Sequence, residues 1–576
     1  MQSTTLREAL SQYLKKTNKD CSSDVFQFTI PPDHKFGDIC INIFPAVKAT
    51  KTPPPILAQE VLDFMKNEKY VTDGNIQGGF VNLSLIDDFY TKELTSWTLP
   101  VFEKKNEKII IDYMGANIGK PLHIGHLCTP LFGQATINLL RLMGYEVTAD
   151  MHQGDWGGIF GKLITGWKYF GDEDAFQKDP VHHLLEIYVA ITEKTEKEPD
   201  IEQECRDAFR LLSEGDEASV KLWQQFTDKS LAGVRTVMSE FGVHPDIWIG
   251  ESFYEGIDLP KLGNWPDLTP DNSMSAVVDE LIKKGIATKN EDESVGVVFP
   301  KESKLPSCIL QKRDGTHGYL ASDLAAIKYR LKNWSPSRIV YFVDNRQALH
   351  FRQLFATATK TWLDGKNTEL THAGNGFVSL PDGAMSTRHG RVIFLKDLIG
   401  ESFDRVKKIL EARERTLSDN DTKAVALGAI VYSFLSQDRE RDWIFEWDKV
   451  LAFEGNSGPY LQYTYVRWKK ILDEIGETEA KDVATETLTS FDRDIVLDIL
   501  SFNELFIACG ETYKFHLLIA HIATMTRHLN ALYVNTPKLK ETPENERVAR
   551  IKIIRTSLEI IRYTATILGM PLPEEM

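Results

Sequence analysis

Residues 109–157 read IIIDYMGANIGKPLHIGHLCTPLFGQATINLLRLMGYEVTADMHQGDWG. Ile109, Ile110 and Ile111 form an apolar, β-branched run suited to a buried strand. Gly115, Gly119 and Pro121 then break the chain. A helical pattern opens at His123 and His126, continues to Met143 and stops at Gly144. Residues 145–151 read as a second strand. Strand, glycine-rich loop, helix and strand in that order make a Rossmann-like unit of the kind that binds nucleotides.

The position of the two histidines suggests the chemistry. A helix N-terminus presents unpaired N–H groups and the positive end of the helix dipole, and so attracts phosphate. Imidazoles at 123 and 126, on the first turn, can donate to phosphoryl oxygens as charge develops there. Gly125 between them has no side chain, leaving room for a flat base against the backbone. His-x-x-His alone is a weak signal, because a helix can begin with two histidines by chance. The strand–loop–helix frame is what gives it weight.

Length and composition bound the rest. A chain of 576 residues is expected to hold roughly three or four domains. With 42% hydrophobic and 26% charged residues it has the balance of a soluble globular protein. No apolar run reaches the ~18 residues of a membrane span, and no basic start precedes an apolar block, so neither membrane insertion nor secretion is expected. The six cysteines are scattered without a Cys-x-x-Cys pair. That argues against a disulfide framework or a cysteine zinc site and fits a reduced cytoplasm. A protein-held metal is not expected. The net charge of −16 works against bulk attraction to nucleic acid, so any RNA contact would use local surfaces.

The string Gly115-Ala-Asn-Ile-Gly-Lys-Pro-Leu-His-Ile-Gly-His126, followed by Gly154-Asp-Trp-Gly157, resembles the arginyl-tRNA synthetases, a branch of the class I aminoacyl-tRNA synthetases. The resemblance spans nearly the whole chain. It implies a multidomain α/β protein: a Rossmann-like catalytic domain with a helical insertion, a small N-terminal α/β domain and an all-helical C-terminal domain. The expected boundaries are 1–100 for the tRNA-contacting N-terminal domain and 101–400 for the catalytic domain, with a connective insertion at about 170–300. Stem helices follow at 401–450 and an anticodon-binding domain at 451–576.

Along the chain, Leu6, Leu10, Tyr13 and Leu14 share one helical face, residues 25–30 alternate like a strand, and 78–85 read as a closing strand. Gly37-Asp-Ile-Cys-Ile-Asn42 and Gly79-Phe-Val-Asn82 are similar to motifs of the family's N-terminal extension. Phe80 and Asn82 are candidate tRNA contacts by stacking and edge hydrogen bonding, or else a core residue and a turn residue. Residues 157–300 read as mostly helical, and His182 and His183 within them as surface histidines. In Asp314-Gly-Thr-His-Gly-Tyr-Leu-Ala-Ser-Asp-Leu-Ala-Ala326, Asp314-Gly315 is a turn, Tyr319 and Leu320 are expected to end a strand, and Asp323 to open a helix. Residues 338–344 read as a buried strand leading into a further helix.

The resemblance assigns roles residue by residue. His123, Gly125, His126, Met385 and Ser386 are expected to bind ATP, with Mg2+ carried on its phosphates. Lys120, His123, His126, Ser386 and Arg388 are expected to act in catalysis. The family's mobile Lys-Met-Ser-Lys-Ser loop appears here as Ala384-Met-Ser-Thr-Arg-His389, without lysine, and Lys120 is expected to supply the missing cation from the opposite wall. A guanidinium is planar and permanently charged, so its pocket needs carboxylates or amides placed for paired hydrogen bonds. Asp112, Asn117 and His123 are expected at the amino-acid end, and Tyr319, Asp323 and Gln347 around the side chain. Asp323 is the favoured anchor, with an N-cap role as its rival.

Asp442-Trp-Ile-Phe-Glu-Trp447 and Phe453-Glu-Gly-Asn-Ser-Gly-Pro-Tyr-Leu-Gln-Tyr463 resemble the entry to the family's C-terminal domain. Tyr460, Gln462, Tyr463 and Arg467 are candidate tRNA contacts there, or else inter-domain packing. The implied partners are L-arginine, ATP and tRNA(Arg), and the implied state is a monomer. A stand-alone nucleotidylyltransferase would share His-x-Gly-His without needing the helical C-terminal region. A non-catalytic tRNA-binding paralogue would be expected to have lost His123 or His126, and both are present.

Overall fold

The strand Lys108–Asp112 lies at the centre of a five-stranded, all-parallel sheet. Across the sheet the strands run Glu369–His372, Arg338–Tyr341, Lys108–Asp112, Glu146–Met151 and Ile247–Trp248. Ile109, Ile110 and Ile111 are buried, as a strand covered on both faces requires. The helix Cys128–Leu142 connects the central strand to Glu146–Met151. It approaches the sheet closely at Gly133, where a Cβ would stand 2.2 Å from that of Tyr113. The chain first winds outward through 146–151 and 247–248, then returns on the other side of the central strand with 338–341 and 369–372. Strand order therefore reverses between Lys108–Asp112 and Arg338–Tyr341, and the crevice above their C-terminal ends is where open α/β sheets bind ligands.

The computed structural model describes residues 3–31, 33–262, 265, 270–365, 367–381, 383, 392–476 and 488–576. Around the central sheet, the N-terminal region forms a four-stranded antiparallel sheet with strand order Gln27–Thr29, Ile39–Asn42, Phe80–Leu85, Val71–Gln77. The helix Thr4–Lys16 buries Leu6, Leu10, Tyr13 and Leu14, the face read from the sequence, and neighbours the helices Pro54–Met65 and Asp87–Ser96. Gly78 and Gly79, expected at the start of the closing strand, instead make the hairpin turn ahead of it. Both have positive φ, 57° and 92°, as a tight hairpin of matching twist demands.

The helices Gly458–Ile475, Ser490–Thr512, Phe515–Asn535 and Glu544–Leu568 form the C-terminal region. It docks on the central sheet: Asn138 Nδ2 donates to the Ile567 carbonyl at 3.1 Å, and Arg338 Nη1 to the Tyr513 hydroxyl at 2.8 Å. Arg493 pairs with Asp87 at 2.8 Å and ties the same region to the N-terminal domain.

Residues 157–300 are mostly helical, as read, with strands added late in the stretch; two other readings need correction. The stretch 170–300 is helical as far as Glu240, but Ile247–Trp248 then returns to the main sheet as its edge strand. Ala287–Lys289 and Val295–Val297 form a small antiparallel sheet with Cys308–Gln311. His183 is not a surface residue; it is buried and accepts a hydrogen bond from the Asp172 amide at 3.0 Å. Tyr319 and Leu320 end no strand: the helix begins at Tyr319, with Gly318 at its N-cap, and runs to Trp334. The Ala- and Leu-rich run from 319 to 326 favours that outcome. Asp323 consequently sits one turn inside the helix and caps nothing, which leaves its carboxylate available for other partners.

Candidate active site

The histidines do not sit on the long helix itself. They occupy a separate 3-10 turn, Ile124–His126, just ahead of Cys128–Leu142. Nδ1 of His123 accepts from the Gly125 amide, and Nδ1 of His126 accepts from the His123 amide, both at 3.1 Å. The two rings lie 3.8 Å apart, centroid to centroid. Because each Nδ1 is an acceptor, the proton of each neutral ring resides on Nε2. Burial holds both rings neutral, lowering His123 to about 4 and His126 to about 3; for His126 the neighbouring His123 adds to the effect. The turn thus offers two preset neutral N–H donors, and the sequence pattern His-x-x-His acquires a reason for its spacing: each ring caps the backbone that carries the other. The Ile124 amide donates to the Ile393 carbonyl and the Leu395 amide to the Leu122 carbonyl, both at 2.9 Å, pinning the chain after residue 391 beside this turn.

An acidic cluster lies across the crevice. Asp155, from the Gly154-Asp-Trp-Gly157 string, is buried and accepts from the Ser252 amide and hydroxyl, each at 2.8 Å. Burial raises its carboxyl to about 6 in spite of those bonds. The contact fixes the turn Glu251–Tyr254 and with it Glu251, whose amide also donates to the Gln153 carbonyl at 3.1 Å. Burial, then the negative charges of Asp323 and Asp155, hold the Glu251 carboxyl well above the ordinary range. Asp323 has the opposite balance. Burial would raise it, but a 2.5 Å hydrogen bond with Nε2 of His350 and charge interactions with His350, His152 and Arg330 hold it low.

Tyr319 links the two walls. It is 73% exposed, and burial of its ring, then the charges of Glu251 and Tyr188, raise its hydroxyl. The Lys120 ammonium rests over the Tyr188 ring at 4.0 Å and is electrostatically coupled to His126. Neutral N–H donors, a lysine, an exposed tyrosine and the half-buried carboxylates of Glu251 and Asp323 therefore share one crevice. The loop carrying Asn117 is stitched to the loop after Glu146–Met151 by the backbone bonds Ile118–Gly154 and Gly154–Ala116, both 3.0 Å, and the Asn117 side chain lies against Gly154.

The structure brings Lys120, His123, Gly125, His126, Asn117, Tyr319 and Asp323 to this crevice. Asp112 is a correction. Its carboxylate is taken by Arg330 Nη2 at 2.7 Å, which also holds Asp150 at 2.7 Å, deep under the sheet ends. A charge so buried keeps its partner, because separating the pair would strand an ion in the core. Gln347 is exposed on the turn Asn345–Gln347, and no contact among the described residues ties its side chain to the acids. Met385, Ser386 and Arg388 lie outside the described residues. Glu251 was missed by sequence reasoning, since Gly250-Glu-Ser-Phe-Tyr254 matches no motif; only the pairing of Asp155 with Ser252 reveals it.

Of the candidate tRNA contacts, Phe80 is partly exposed and meets Phe44 edge to face at 5.8 Å. Asn82 lies neither in a turn nor on the surface. It is buried in the strand Phe80–Leu85, and its Nδ2 donates to Asn75 Oδ1 at 3.2 Å. Gln462 is fully buried and donates to the carbonyls of Ala424 at 3.0 Å and Pro571 at 2.7 Å, so it packs the C-terminal region against the helix Asp419–Leu435, the inter-domain alternative. Arg467 is held between the rings of Tyr463 at 4.2 Å and Tyr533 at 4.6 Å, and Tyr460 is half-buried on the same helix.

Comparison with known proteins accounts for this arrangement. The model of the class I (R) tRNA synthetase catalytic domain matches residues 94–447, that of the arginyl-tRNA synthetase N-terminal domain residues 4–85, and that of the DALR anticodon-binding domain residues 461–576. The arginine–tRNA ligase of Clostridium acetobutylicum is 31% identical over 560 residues, covering 95% of each chain. That of Fusobacterium nucleatum is 32% identical over 564 residues, covering 96% of this chain and 95% of its own. The fold matches the arginyl-tRNA synthetase of Thermus thermophilus with a TM-score of 0.80 at 22% identity, over the full length of both. Both the histidine turn and the acidic cluster fall within the catalytic-domain match, and the chain belongs to the arginyl-tRNA synthetase family.

Proposed function

We propose that the chain joins L-arginine to tRNA(Arg) in two steps. In the first, the arginine carboxylate attacks the α-phosphorus of ATP, the bond to the β-phosphate bridging oxygen breaks, and arginyl-adenylate and pyrophosphate result. In the second, the terminal 2′-hydroxyl of the tRNA attacks the arginyl carbonyl and AMP leaves. No side chain forms a covalent bond; positioning and charge stabilisation carry phosphoryl chemistry of this type. The observation that carries the reading is the pair of neutral imidazoles, tautomer fixed, across one crevice from the half-buried acids Glu251 and Asp323.

His123 and His126 donate Nε2–H to the α-phosphate oxygens as negative charge accumulates there. Lys120 balances the departing pyrophosphate together with Ser386 and Arg388, and Gly125 and Met385 border the adenine. Mg2+ arrives on the nucleotide phosphates and supplies charge neutralisation there. Glu251 and Asp323 receive the guanidinium, with Tyr319 over its stem, and Asn117 holds the amino-acid end. Discrimination against lysine follows from leaving acceptors of a bidentate site unfilled. Phe80 and the Tyr463–Arg467–Tyr533 stack provide faces on which unpaired bases can lie. The protein acts as a monomer in the cytoplasm.

Arginine-dependent pyrophosphate exchange in the presence of tRNA tests the reading. A nucleotidylyltransferase would show no dependence on arginine, and a non-catalytic paralogue no exchange at all.

A further inference from the structure

Asp323, assigned above to the guanidinium of arginine, already has a close histidine partner in the protein. Its Oδ2 is 2.5 Å from Nε2 of His350, on the helix Ala348–Ala358. The second histidine nearby does not compete for this place. His152 keeps Nε2 3.7 Å from Asp323 Oδ1, while its Nδ1 donates to the Ile249 carbonyl at 3.0 Å. His350 therefore makes the close contact. An arginine bound to Asp323 would set a second cation against the same half-buried carboxylate. A guanidinium cannot give up its proton near neutral pH, whereas an imidazolium can. Of the two cations, only the imidazole is able to yield.

We propose that His350 is the counter-ion of Asp323 before arginine binds, and that the incoming guanidinium displaces its proton to solvent. His350 is on this account a positioning residue. As imidazolium it keeps the anchor carboxylate ionised and oriented in a half-buried setting; as neutral imidazole it turns a bare Nε2 toward the substrate as a further acceptor. The inference rests on the assignment of Asp323 to the guanidinium.

The groups around His350 pull in opposite directions. Asp323 itself raises the His350 ring against the effect of burial. His372, on the strand Glu369–His372, interacts with His350 and, when positive, favours loss of its proton, whereas Arg330, on the Asp323 helix, and His152 act on Asp323 and favour its ionised form. Burial, then the charges of Asp323 and Asp155, hold the Glu251 carboxyl well above its ordinary range, and a guanidinium beside it favours ionisation. Both His350 and Glu251 thus release protons on arginine binding, and by linkage the affinity for arginine increases as pH rises. Below the His350 titration the dependence approaches about tenfold per pH unit for each proton released.

Calorimetry of the full chain with L-arginine near neutral pH, in two buffers of different ionisation enthalpy, counts the protons. Release in the wild type, reduced in His350→Asn but retained in part by Glu251→Gln, supports the proposal. A merely structural role for His350 would weaken binding in His350→Asn without changing the proton count, and that result overturns it. Arginine binding with equal heats in both buffers also overturns it. If His350→Asn does not fold, histidine-selective 15N NMR of the wild type reads the rings directly: one imidazolium must become neutral when arginine is added, and no change refutes the proposal. Absence of any arginine binding, by contrast, defeats the ligase reading itself.

Discussion

The backbone amide of His123 donates to Nδ1 of His126 at 3.1 Å, so the first histidine of the turn orients the ring of the second. The two rings also touch, 3.8 Å between centroids, each held by a backbone amide of the same turn. His126→Ala should slow adenylate formation about 100- to 1000-fold, the usual cost of a lost transition-state donor, with a much smaller change in the KM for arginine. Single-turnover kinetics with ATP and arginine checks this, and an equal loss in arginine binding would contradict it.

The same burial gives the pair a defined pH behaviour. Both rings have depressed titrations, about 4 and about 3 in the folded protein, against ~6.5 in an unfolded chain. The unfolded state therefore binds protons first, and the stability these rings contribute above pH ~6.5 is lost as pH falls below it. Neither ring should produce an acid limb near 6.5 in the rate of adenylate formation. A pH profile of single-turnover rates at saturating arginine tests the point, and His126→Asn should leave any limb near neutrality in place.

Asp323→Asn and Glu251→Gln should each raise the KM for arginine while sparing that for ATP. Truncating one member of a desolvated charge pair costs about 2–4 kcal/mol, roughly 30- to 700-fold in affinity. Steady-state pyrophosphate exchange with each substrate varied separately makes the comparison. Parallel increases in both Michaelis constants would reject the assignment. Lys120→Ala should behave in the reverse way, lowering the rate of exchange with little effect on arginine.

Asp112 offers a contrast on the next layer down. Its carboxylate shares Arg330 with Asp150, all three essentially buried. Arg330→Leu should destabilise the fold by about 3–5 kcal/mol, because it leaves two buried carboxylates without a partner. Denaturant melts measure the loss. Asp112→Asn should likewise lower the melting temperature, and a variant with unchanged stability but lost arginine affinity would return Asp112 to the substrate.

In the C-terminal domain, Arg467→Ala should weaken tRNA binding by about 1–3 kcal/mol, the usual cost of removing a stacking platform, while leaving tRNA-independent arginine binding intact. Gln462→Ala should instead lower stability, since it abandons the carbonyls of Ala424 and Pro571. Filter binding and thermal melts separate the two.

The contiguous features were legible in the sequence. The strand at Ile109–Ile111, the helix ending at Gly144 and the buried face of the first helix follow from local pattern alone. What local pattern misses is pairing across distance. Asp112 looked like a loop-edge ligand because its partner Arg330 comes 218 positions later. Glu251 was invisible because no motif surrounds it, and its placement depends on Asp155, 97 positions from Ser252. For Gln462 the sequence leaves tRNA contact and packing open, and for Asn82 contact and turn, because it does not say which polar side chains are consumed by carbonyls or by each other. Local pattern allows Tyr319 and Leu320 to end a strand, and the Ala- and Leu-rich run that follows decides for helix.

Charging of total tRNA by the purified protein, given ATP and each canonical amino acid in turn, addresses the central claim most directly. The account predicts aminoacylation with arginine and with no other amino acid, abolished together with pyrophosphate exchange in His126→Ala. Failure to charge any tRNA with arginine, or equal charging with lysine, would contradict it.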